Sequence, residues 1–275
     1  MQPTEEIKAY GISDFQVLES ETERILEEVK IIGYSIIENV LSEQELIIAR
    51  EKLDAVLRKQ EQDFGIENLK SIHELNVARC PLFYDPFFIE MAARKNIVSL
   101  VKKLLGNYVL LHLQNGIINT PNEEHHQSSW HRDLPYQEYT TSKPLGINAL
   151  YCIDTFSSQS GGTLLLPFSH QMEKLPSLNY LQKHALQLVA KPGSVVLFDS
   201  MVYHKAGFNE SNSIRRAINH VYTSGIIKQQ INLPALMDKK YADDPELKIM
   251  LGFESVVPDS DLAWRNNKLM KSKNK

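Results

Sequence analysis

The chain has 275 residues, a formal net charge of −4 and 23% charged side chains. This composition is ordinary for a soluble protein and lacks the basic excess that is typical of nucleic-acid-binding domains. No run approaches the roughly 18 apolar residues of a membrane span, and residues 1–6 lack the basic-then-apolar pattern of a secretion signal, so we expect a cytoplasmic protein that binds neither membrane nor nucleic acid.

The first hundred residues predict helices. The capping-box motif Ser-x-x-Glu occurs at residues 20–23 and again at 42–45, and each copy is followed by apolar residues at helical spacing. Residues 34–40, between the first two helices, have the composition of a short strand. Residues 61–85 show no regular pattern, and a third helix is predicted over residues 86–105 because Pro begins it and Gly follows it.

The composition changes after residue 107. Short segments rich in β-branched, aromatic and leucine residues follow one another between Pro and Gly turns, at residues 108–119, 147–153, 163–166, 194–198 and 217–223. Consecutive strands of this kind predict a mainly β fold with flanking helices, in which the strands form an antiparallel barrel or a two-sheet jelly roll. We therefore expect a single domain over residues 1–275, with a mostly helical part at 1–106, a β core at 107–227 and a helical segment at 228–275.

Two histidines and one aspartate carry the predicted chemistry. His131 and Asp133 are two residues apart, so in an extended strand both side chains project from the same face. His204 lies just after a later apolar segment. Two histidines and one carboxylate on one side of a metal leave coordination positions open for substrate and dioxygen, which is the arrangement of non-haem iron(II) oxygenases.

The residues around these three form four ordered blocks. The blocks are Trp-His-Arg-Asp at 130–133, Ser-Gly-Gly-Thr-Leu through Leu-Pro-Phe-Ser-His at 160–170, Pro-Gly-Ser-Val-Val-Leu-Phe at 192–198 leading to His204, and Arg-Arg-Ala-Ile-Asn at 215–219. Over residues 130–220 this pattern resembles the phytanoyl-CoA dioxygenase family. Four ordered blocks are far more specific than a single His-x-Asp motif.

The resemblance implies a double-stranded β-helix, a cupin-like jelly roll, that holds Fe(II) and uses 2-oxoglutarate and O2. His131, Asp133 and His204 match the family's metal-ligand positions and are thereby the predicted catalytic residues. The implied reaction is hydroxylation of an aliphatic C–H bond of a small metabolite, with release of succinate and CO2. The family acts on polar metabolites, amino-acid-like compounds, sugars and acyl thioesters, and the resemblance does not choose among them. Asp133 argues against halogenation, because the related halogenases replace this carboxylate with a small residue.

Two adjacent arginines compete for the role of binding 2-oxoglutarate. A planar guanidinium donates two parallel hydrogen bonds to a carboxylate, which suits the far end of this cosubstrate. Arg215 and Arg216 face opposite sides of a strand, so only one of them can point into the barrel, and alternation alone does not decide which. The family's spacing after His204 favours Arg215.

Two further residues are expected at the cosubstrate pocket. Tyr151 matches a position where the family often has an aromatic side chain that lines the pocket, although a core tyrosine fits the pattern equally well. Gln114 is a polar residue in an apolar strand, and it faces either the cavity or solvent.

The polar residues around the metal segment are candidates for substrate contacts. His125 and His126 lie in a polar loop and are expected either to be solvated or to contact the substrate. Arg132 must point away from its two neighbours if the strand is regular. Residues 136–138, Tyr-Gln-Glu, follow the metal strand, and their polarity favours a small polar or charged substrate.

Two other functions use the same residues. The ligand set also suits a zinc hydrolase, in which Zn(II) holds a reactive water, but Arg215 has no evident role there. A jelly-roll binding protein that has lost catalysis is the second alternative, and the presence of all three ligands and the arginine argues against it.

Overall fold

The computed structural model describes residue 11, residues 17–134 and residues 140–273. Within these ranges the strands are β1 (Tyr34–Ile37), β2 (Val77–Arg79), β3 (Val109–Asn119), β4 (Gly146–Cys152), β5 (Leu164–Leu165), β6 (Leu186–Gln187), β7 (Val195–Asp199), β8 (His204–Lys205) and β9 (Arg215–Ser224). The helices are α1 (Glu21–Ile31), α2 (Glu43–Phe64), α3 (Ile66–Ser71), α4 (Phe87–Ala92), α5 (Lys95–Leu105), α6 (Leu178–His184), α7 (Leu233–Leu236), α8 (Pro245–Met250) and α9 (Asp261–Lys273).

The strands form two antiparallel sheets. The larger sheet has the order β1-β7-β4-β9-β3-β2, and the smaller sheet has the order β6-β5-β8. An apolar cluster lies between them, with Leu150 and Ala217 from the larger sheet and Leu165 from the smaller one. Two facing antiparallel sheets joined by long crossovers make a jelly roll. The predicted mainly β fold with flanking helices is confirmed, whereas the single domain over residues 1–275 stays a prediction.

The two faces of the larger sheet have different neighbours. Along β9, Ala217 belongs to the cluster between the sheets, whereas Ile218 belongs to the cluster that the helices form against the opposite face. Side chains alternate along a strand, so the side of Arg215 and Ala217 is the interior face and the side of Arg216 and Ile218 is the helix face. Register partners on neighbouring strands share a face, which extends this division to β3 and β4.

Both predicted capping boxes begin helices. Ser20 accepts a hydrogen bond from the backbone N–H of Glu23 at the start of α1, and Ser42 does the same for Glu45 at the start of α2. These bonds satisfy backbone donors that a helix start leaves unpaired.

The predicted third helix is divided into α4 and α5. Arg94 leaves helical geometry with a ψ of 114°. Its guanidinium donates to the carbonyl oxygen of Val40 over 3.0 Å and pairs with the carboxylate of Glu45. This long-range contact interrupts a pattern that locally favours one continuous helix. Residues 61–85 also differ from the prediction, because the end of α2, all of α3 and β2 lie there.

A membrane-spanning helix was sought in the described ranges. None of the helices there combines the length and the apolar character that crossing a bilayer requires.

Candidate metal and cosubstrate site

A backbone bridge brings the two predicted histidine ligands together. The N–H of His131 donates to the carbonyl oxygen of His204 over 3.0 Å, and the reverse bond measures 3.1 Å. The N–H of Asp133 donates to the carbonyl oxygen of Ser200 over 3.1 Å. The metal segment is thus an isolated bridge at the end of the smaller sheet rather than the regular strand we expected.

Three side-chain atoms converge at this bridge. The Oδ1 atom of Asp133 lies 3.7 Å from Nε2 of His131 and 3.7 Å from Nε2 of His204. All three candidate ligand atoms lie within 4.8 Å of one another, and within the described ranges no other group of three His, Cys, Asp or Glu does so. Two imidazole nitrogens and one carboxylate oxygen are a donor set that suits Fe(II) and Zn(II) alike.

Both imidazoles are oriented by their other nitrogen. The Nδ1 atom of His131 lies 2.8 Å from the carbonyl oxygen of Ser129, and Nδ1 of His204 lies 3.0 Å from that of Val202. A carbonyl oxygen only accepts hydrogen bonds, so Nδ1 carries the proton and the Nε2 lone pair is left for a metal. The buried Nε2 of His131 has no hydrogen-bond partner in the described structure, which is expected of an atom that is available to bind a metal.

The second oxygen of Asp133 is held by two amides. Both Asn148 and Asn219 donate to Oδ2, the latter over 3.1 Å. Ser200 donates to Oδ1 of Asn148 over 2.5 Å and so fixes which way that amide points. With Oδ2 occupied, Oδ1 is the oxygen presented to the two histidines. Burial raises the pKa of Asp133, but the electrostatic influence of the neighbouring His204 and His131 and the two amide bonds outweigh it and keep this pKa below its ordinary value.

Arg215 is a buried cation without an acidic partner. Its side chain is 2% exposed, Nη2 donates to the carbonyl oxygen of Gly161 over 2.8 Å, and the guanidinium carbon lies 4.5 Å from the ring centre of Phe156. The Nε atom has no hydrogen-bond partner, and no carboxylate of the described residues forms an ion pair with this guanidinium. Burial lowers the pKa of Arg215 to about 10, so the group is still charged at neutral pH.

One pocket joins the arginine to the metal residues. It is lined by His131, Asp133, His204, Arg215, Gln127, Thr163, Asn219, Ile117, Leu150, Phe198 and Ala206. A cation and a candidate metal-binding triad therefore face one shared space between the sheets.

Arg216 lies on the helix face. Its guanidinium donates to both oxygens of Asp54 over 2.8 and 2.9 Å and to Asp154 over 3.1 Å. These carboxylates neutralise its charge away from the pocket. The orientation that the sequence left open is therefore settled, since Arg215 alone of the pair lines the pocket.

Tyr151 and Gln114 do not line the pocket, which corrects the sequence prediction. The hydroxyl of Tyr151 donates to the carbonyl oxygen of Met91 in α4 over 3.3 Å. Gln114 accepts from the N–H of Leu82 and donates to the carbonyl oxygen of Phe88, both over 2.8 Å. Both side chains are fully buried on the helix face, because the register of β4 and β3 with β9 gives them the same parity as Arg216.

The other polar candidates have different fates. Arg132 points away from the triad as expected, donates to the carbonyl oxygen of Met201 over 2.8 Å and lies over the ring of Tyr203. His125 is buried, contrary to the solvated alternative, and burial lowers its pKa to about 3, whereas His126 is exposed. Residues 136–138 lie outside the described residues.

Two functional candidates were missed from the sequence. Asn219 shares strand parity with Arg215, and this signal was available without a structure. Asn148 had no comparable signal, since its contact with Asp133 depends on how β4 aligns with the metal segment.

Comparison with known proteins gives a consistent family assignment. The sequence profile described as phytanoyl-CoA dioxygenase (PhyH) matches residues 32–217. An uncharacterized protein of Mycobacterium tuberculosis is 32% identical over 244 residues, which cover 86% of this chain and 88% of that protein. The dioxygenase af480 of Aspergillus fumigatus is 24% identical, with 79% of this chain and 78% of that protein covered.

A solved structure shows the same fold. The epimerase SnoN, determined in complex with Fe3+, alpha ketoglutarate and nogalamycin RO, aligns over 79% of this chain and 89% of its own with a TM-score of 0.58 and 15% identity. The family match supports an oxygenase-type enzyme that uses iron and 2-oxoglutarate. The profile covers about two thirds of the chain, including all three converging residues and Arg215, and the chain therefore belongs to the phytanoyl-CoA dioxygenase family.

Proposed function

We propose that this protein is an Fe(II)- and 2-oxoglutarate-dependent dioxygenase that hydroxylates an aliphatic C–H bond of a small metabolite and releases succinate and CO2. His131, Asp133 and His204 hold the iron, and Arg215 binds the far carboxylate of 2-oxoglutarate. A cytoplasmic location is part of the same proposal.

The observation that supports this function best is the shared pocket. A triad of donor atoms within 4.8 Å of one another and a buried, unpaired guanidinium line the same space. A buried charge is costly unless an opposite charge and hydrogen bonds compensate it. A dicarboxylate that reaches from the triad to Arg215 would supply that compensation.

The residues around the triad fit an iron ion. Both histidines present an unprotonated Nε2, and Asp133 presents the one oxygen that the asparagines leave free. Iron bound there would supply the redox chemistry that couples decarboxylation of 2-oxoglutarate to oxidation of a substrate C–H bond.

Arg215 is preorganised for a carboxylate. The bond to Gly161 fixes Nη2, and the ring of Phe156 supports the guanidinium plane. The apolar side chains of Ile117, Leu150 and Phe198 line the pocket between Arg215 and the triad. They exclude water, which strengthens the attraction between the guanidinium and a bound carboxylate.

The zinc hydrolase and the inactive binding protein are less well supported. Hydrolysis by a metal-bound water gives Arg215 no partner, and a binding protein without catalysis does not require a facial triad with oriented imidazoles.

Anaerobic reconstitution with Fe(II) and 2-oxoglutarate tests the proposal. We expect a weak visible charge-transfer band in the wild-type protein, no band in His131→Ala, and a band that requires more 2-oxoglutarate in Arg215→Leu. Arg216→Leu is the matched control, because it removes the neighbouring guanidinium from the helix face and should leave the band unchanged. Absence of the band from metal-replete wild-type protein would contradict the proposal and favour the hydrolase.

A second measurement addresses the reaction itself. Under air, a succinate assay across a metabolite library should identify compounds that stimulate turnover, and mass spectrometry of the product should show addition of one oxygen atom. A product that is oxidised without gaining oxygen would leave the cosubstrate assignment in place and overturn hydroxylation.

A further inference from the structure

Asn219 lies midway along the interior face of β9. Its amide holds Asp133, while Arg215 and Thr223 lie four residues before and four residues after it on the same face. At about 3.3 Å per residue, each is roughly 13 Å from Asn219 along the strand. The proposed 2-oxoglutarate extends toward Arg215, so the Thr223 side of Asp133 is left for the second substrate.

Asn115 is a polar group beside Asn219 on that interior face. It is the register partner of Asn219 on the adjacent antiparallel strand, so the two side chains share a face. Asn115 is 9% exposed, and its Oδ1 has no hydrogen-bond partner in the described structure. An unpaired amide oxygen therefore lies beside the amide that holds Asp133.

His112 lies at an irregularity of the same strand. The register of β3 against β9 shifts between Leu111 and Leu113, which makes His112 the extra residue of a β-bulge. Bulges re-aim side chains and recur beside active sites. The buried Nδ1 of His112 has no hydrogen-bond partner.

The electrostatics of His112 place an acceptor near Asp133. Burial lowers the pKa of His112, while the nearby Asp133 carboxylate and a hydrogen bond to the backbone of Lys228 act in the opposite direction. The net result is a neutral ring. Because the ring donates to a backbone carbonyl through one nitrogen, the unpaired Nδ1 is an acceptor.

Thr223 completes a set of three unpaired polar groups. It is fully buried, and its Oγ1 has no partner. Toward Arg215 the interior face carries the apolar side chains of Ala217 and Ile117 and, beside Arg215 itself, Asn119, whose Oδ1 is also unpaired. Buried polar groups are almost always hydrogen-bonded, so three orphans on one side of Asp133 indicate that a ligand supplies the missing bonds.

Building on the proposed function, we infer that His112, Asn115 and Thr223 form the primary-substrate subsite. Nδ1 of His112 and Oδ1 of Asn115 are acceptors, and the hydroxyl of Thr223 accepts or donates, so the subsite takes a group that donates hydrogen bonds. The substrate class is a small molecule with a hydroxyl, amino or N–H amide group. A purely alkyl chain would leave these buried atoms unpaired and is disfavoured.

Fragment binding to a non-turning-over form of the enzyme tests the subsite. The protein is loaded with Mn(II) and 2-oxoglutarate, and paramagnetic relaxation of fragment protons is measured by NMR. The probes are matched pairs, cyclohexanol with cyclohexyl methyl ether and acetamide with N,N-dimethylacetamide. We expect stronger relaxation of the donor in each pair, and about fivefold weaker donor binding in Asn115→Leu, His112→Phe and the near-isosteric Thr223→Val.

The control variant is His220→Phe, which removes a buried imidazole from the helix face of β9. It should leave donor binding unchanged. Two results would overturn the subsite and leave the proposed function intact, provided that Mn(II) and 2-oxoglutarate still bind. One is equal relaxation of the two fragments in each pair, and the other is donor binding that the subsite variants do not weaken. Failure of wild-type protein to bind Mn(II) and 2-oxoglutarate would overturn the proposed function and the subsite with it.

Discussion

The two faces of β9 treat adjacent arginines in opposite ways. On the helix face, Arg216 is held by Asp54 and Asp154, and its charge is neutralised within the protein. On the interior face, Arg215 is more deeply buried and has a carbonyl and an aromatic ring as its contacts, with no carboxylate. An arginine on the helix face thus stabilises the fold, whereas an arginine on the interior face is available to bind a ligand. The charge of Arg216 is paired within the protein, as structural polar groups usually are, whereas the charge of Arg215 has no acidic partner among the described residues.

Removing the interior arginine gives the largest expected effect. Arg215→Leu should weaken 2-oxoglutarate binding on the order of 100-fold, because a buried carboxylate would lose the guanidinium that pairs with it. Isothermal titration with Mn(II)-loaded protein measures this directly. The free energy of unfolding should not fall, since the variant removes a buried unpaired charge. Unchanged affinity of Arg215→Leu for 2-oxoglutarate would contradict the proposal that Arg215, unlike Arg216, binds this ligand.

Removing one amide from Asp133 gives the next effect. Asn148→Ala should weaken Mn(II) or Fe(II) binding about 10-fold, because partners behind a ligand orient it and account for such factors. Ser200→Ala should have a smaller effect in the same direction, since it only frees the amide to rotate. Competition with a metal-sensitive dye gives the dissociation constants. Equal metal affinity in Asn148→Ala and wild type would show that the hydrogen bond from Asn148 to Asp133 does not contribute to metal binding.

The helix-face arginine should affect stability alone. Arg216→Leu should lower the free energy of unfolding by about 2 kcal/mol, because Asp54 and Asp154 lose their charge-assisted hydrogen bonds. Urea denaturation of the metal-free protein is the measurement. Its affinity for 2-oxoglutarate should equal that of wild type, and a loss comparable to that of Arg215→Leu would reverse the assignment of the two residues.

A pH titration gives the smallest expected effect. Burial lowers the pKa of His220, on the helix face, from 6.5 to about 3. Below pH 6.5 His220 is therefore protonated in the unfolded chain but stays neutral in the folded chain. The free energy of unfolding consequently falls as the pH falls. Between pH 6.5 and 5.5 this loss is about 1 kcal/mol, and His220→Phe should remove it. Urea midpoints of both proteins over this range measure the difference, and parallel curves would contradict it.

The sequence predicted the parts of the site that short-range order determines. The His-x-Asp spacing predicted that His131 and Asp133 share a face, and alternation showed that only one of Arg215 and Arg216 could enter the barrel. The prediction that His204 joins them came from the family resemblance of the four blocks. The capping boxes at Ser20 and Ser42 predicted where two helices begin, because a cap is a contact within four residues.

The errors arose where distant segments decide the outcome. Tyr151 and Gln114 were expected at the pocket, with a core tyrosine and a solvent-facing glutamine as the alternatives. Which face they occupy depends on the register of β4 and β3 with β9, which one sequence does not reveal. The break between α4 and α5 likewise lies where Arg94 contacts Glu45, a residue 49 positions away that local sequence does not reveal. Asn148 was missed for the same reason.

The reciprocal backbone bonds between His131 and His204 mean that a metal ion bound at the candidate site would stabilise the folded state. The two imidazoles belong to segments far apart in the chain, and the bridge that brings them together exists only in the folded state. A cation that needs both rings binds the folded chain and not the unfolded one, so its binding free energy adds to the resistance of this sheet edge against opening. Chelation should therefore loosen the edge around β8 first, ahead of the strands at the centre of the larger sheet.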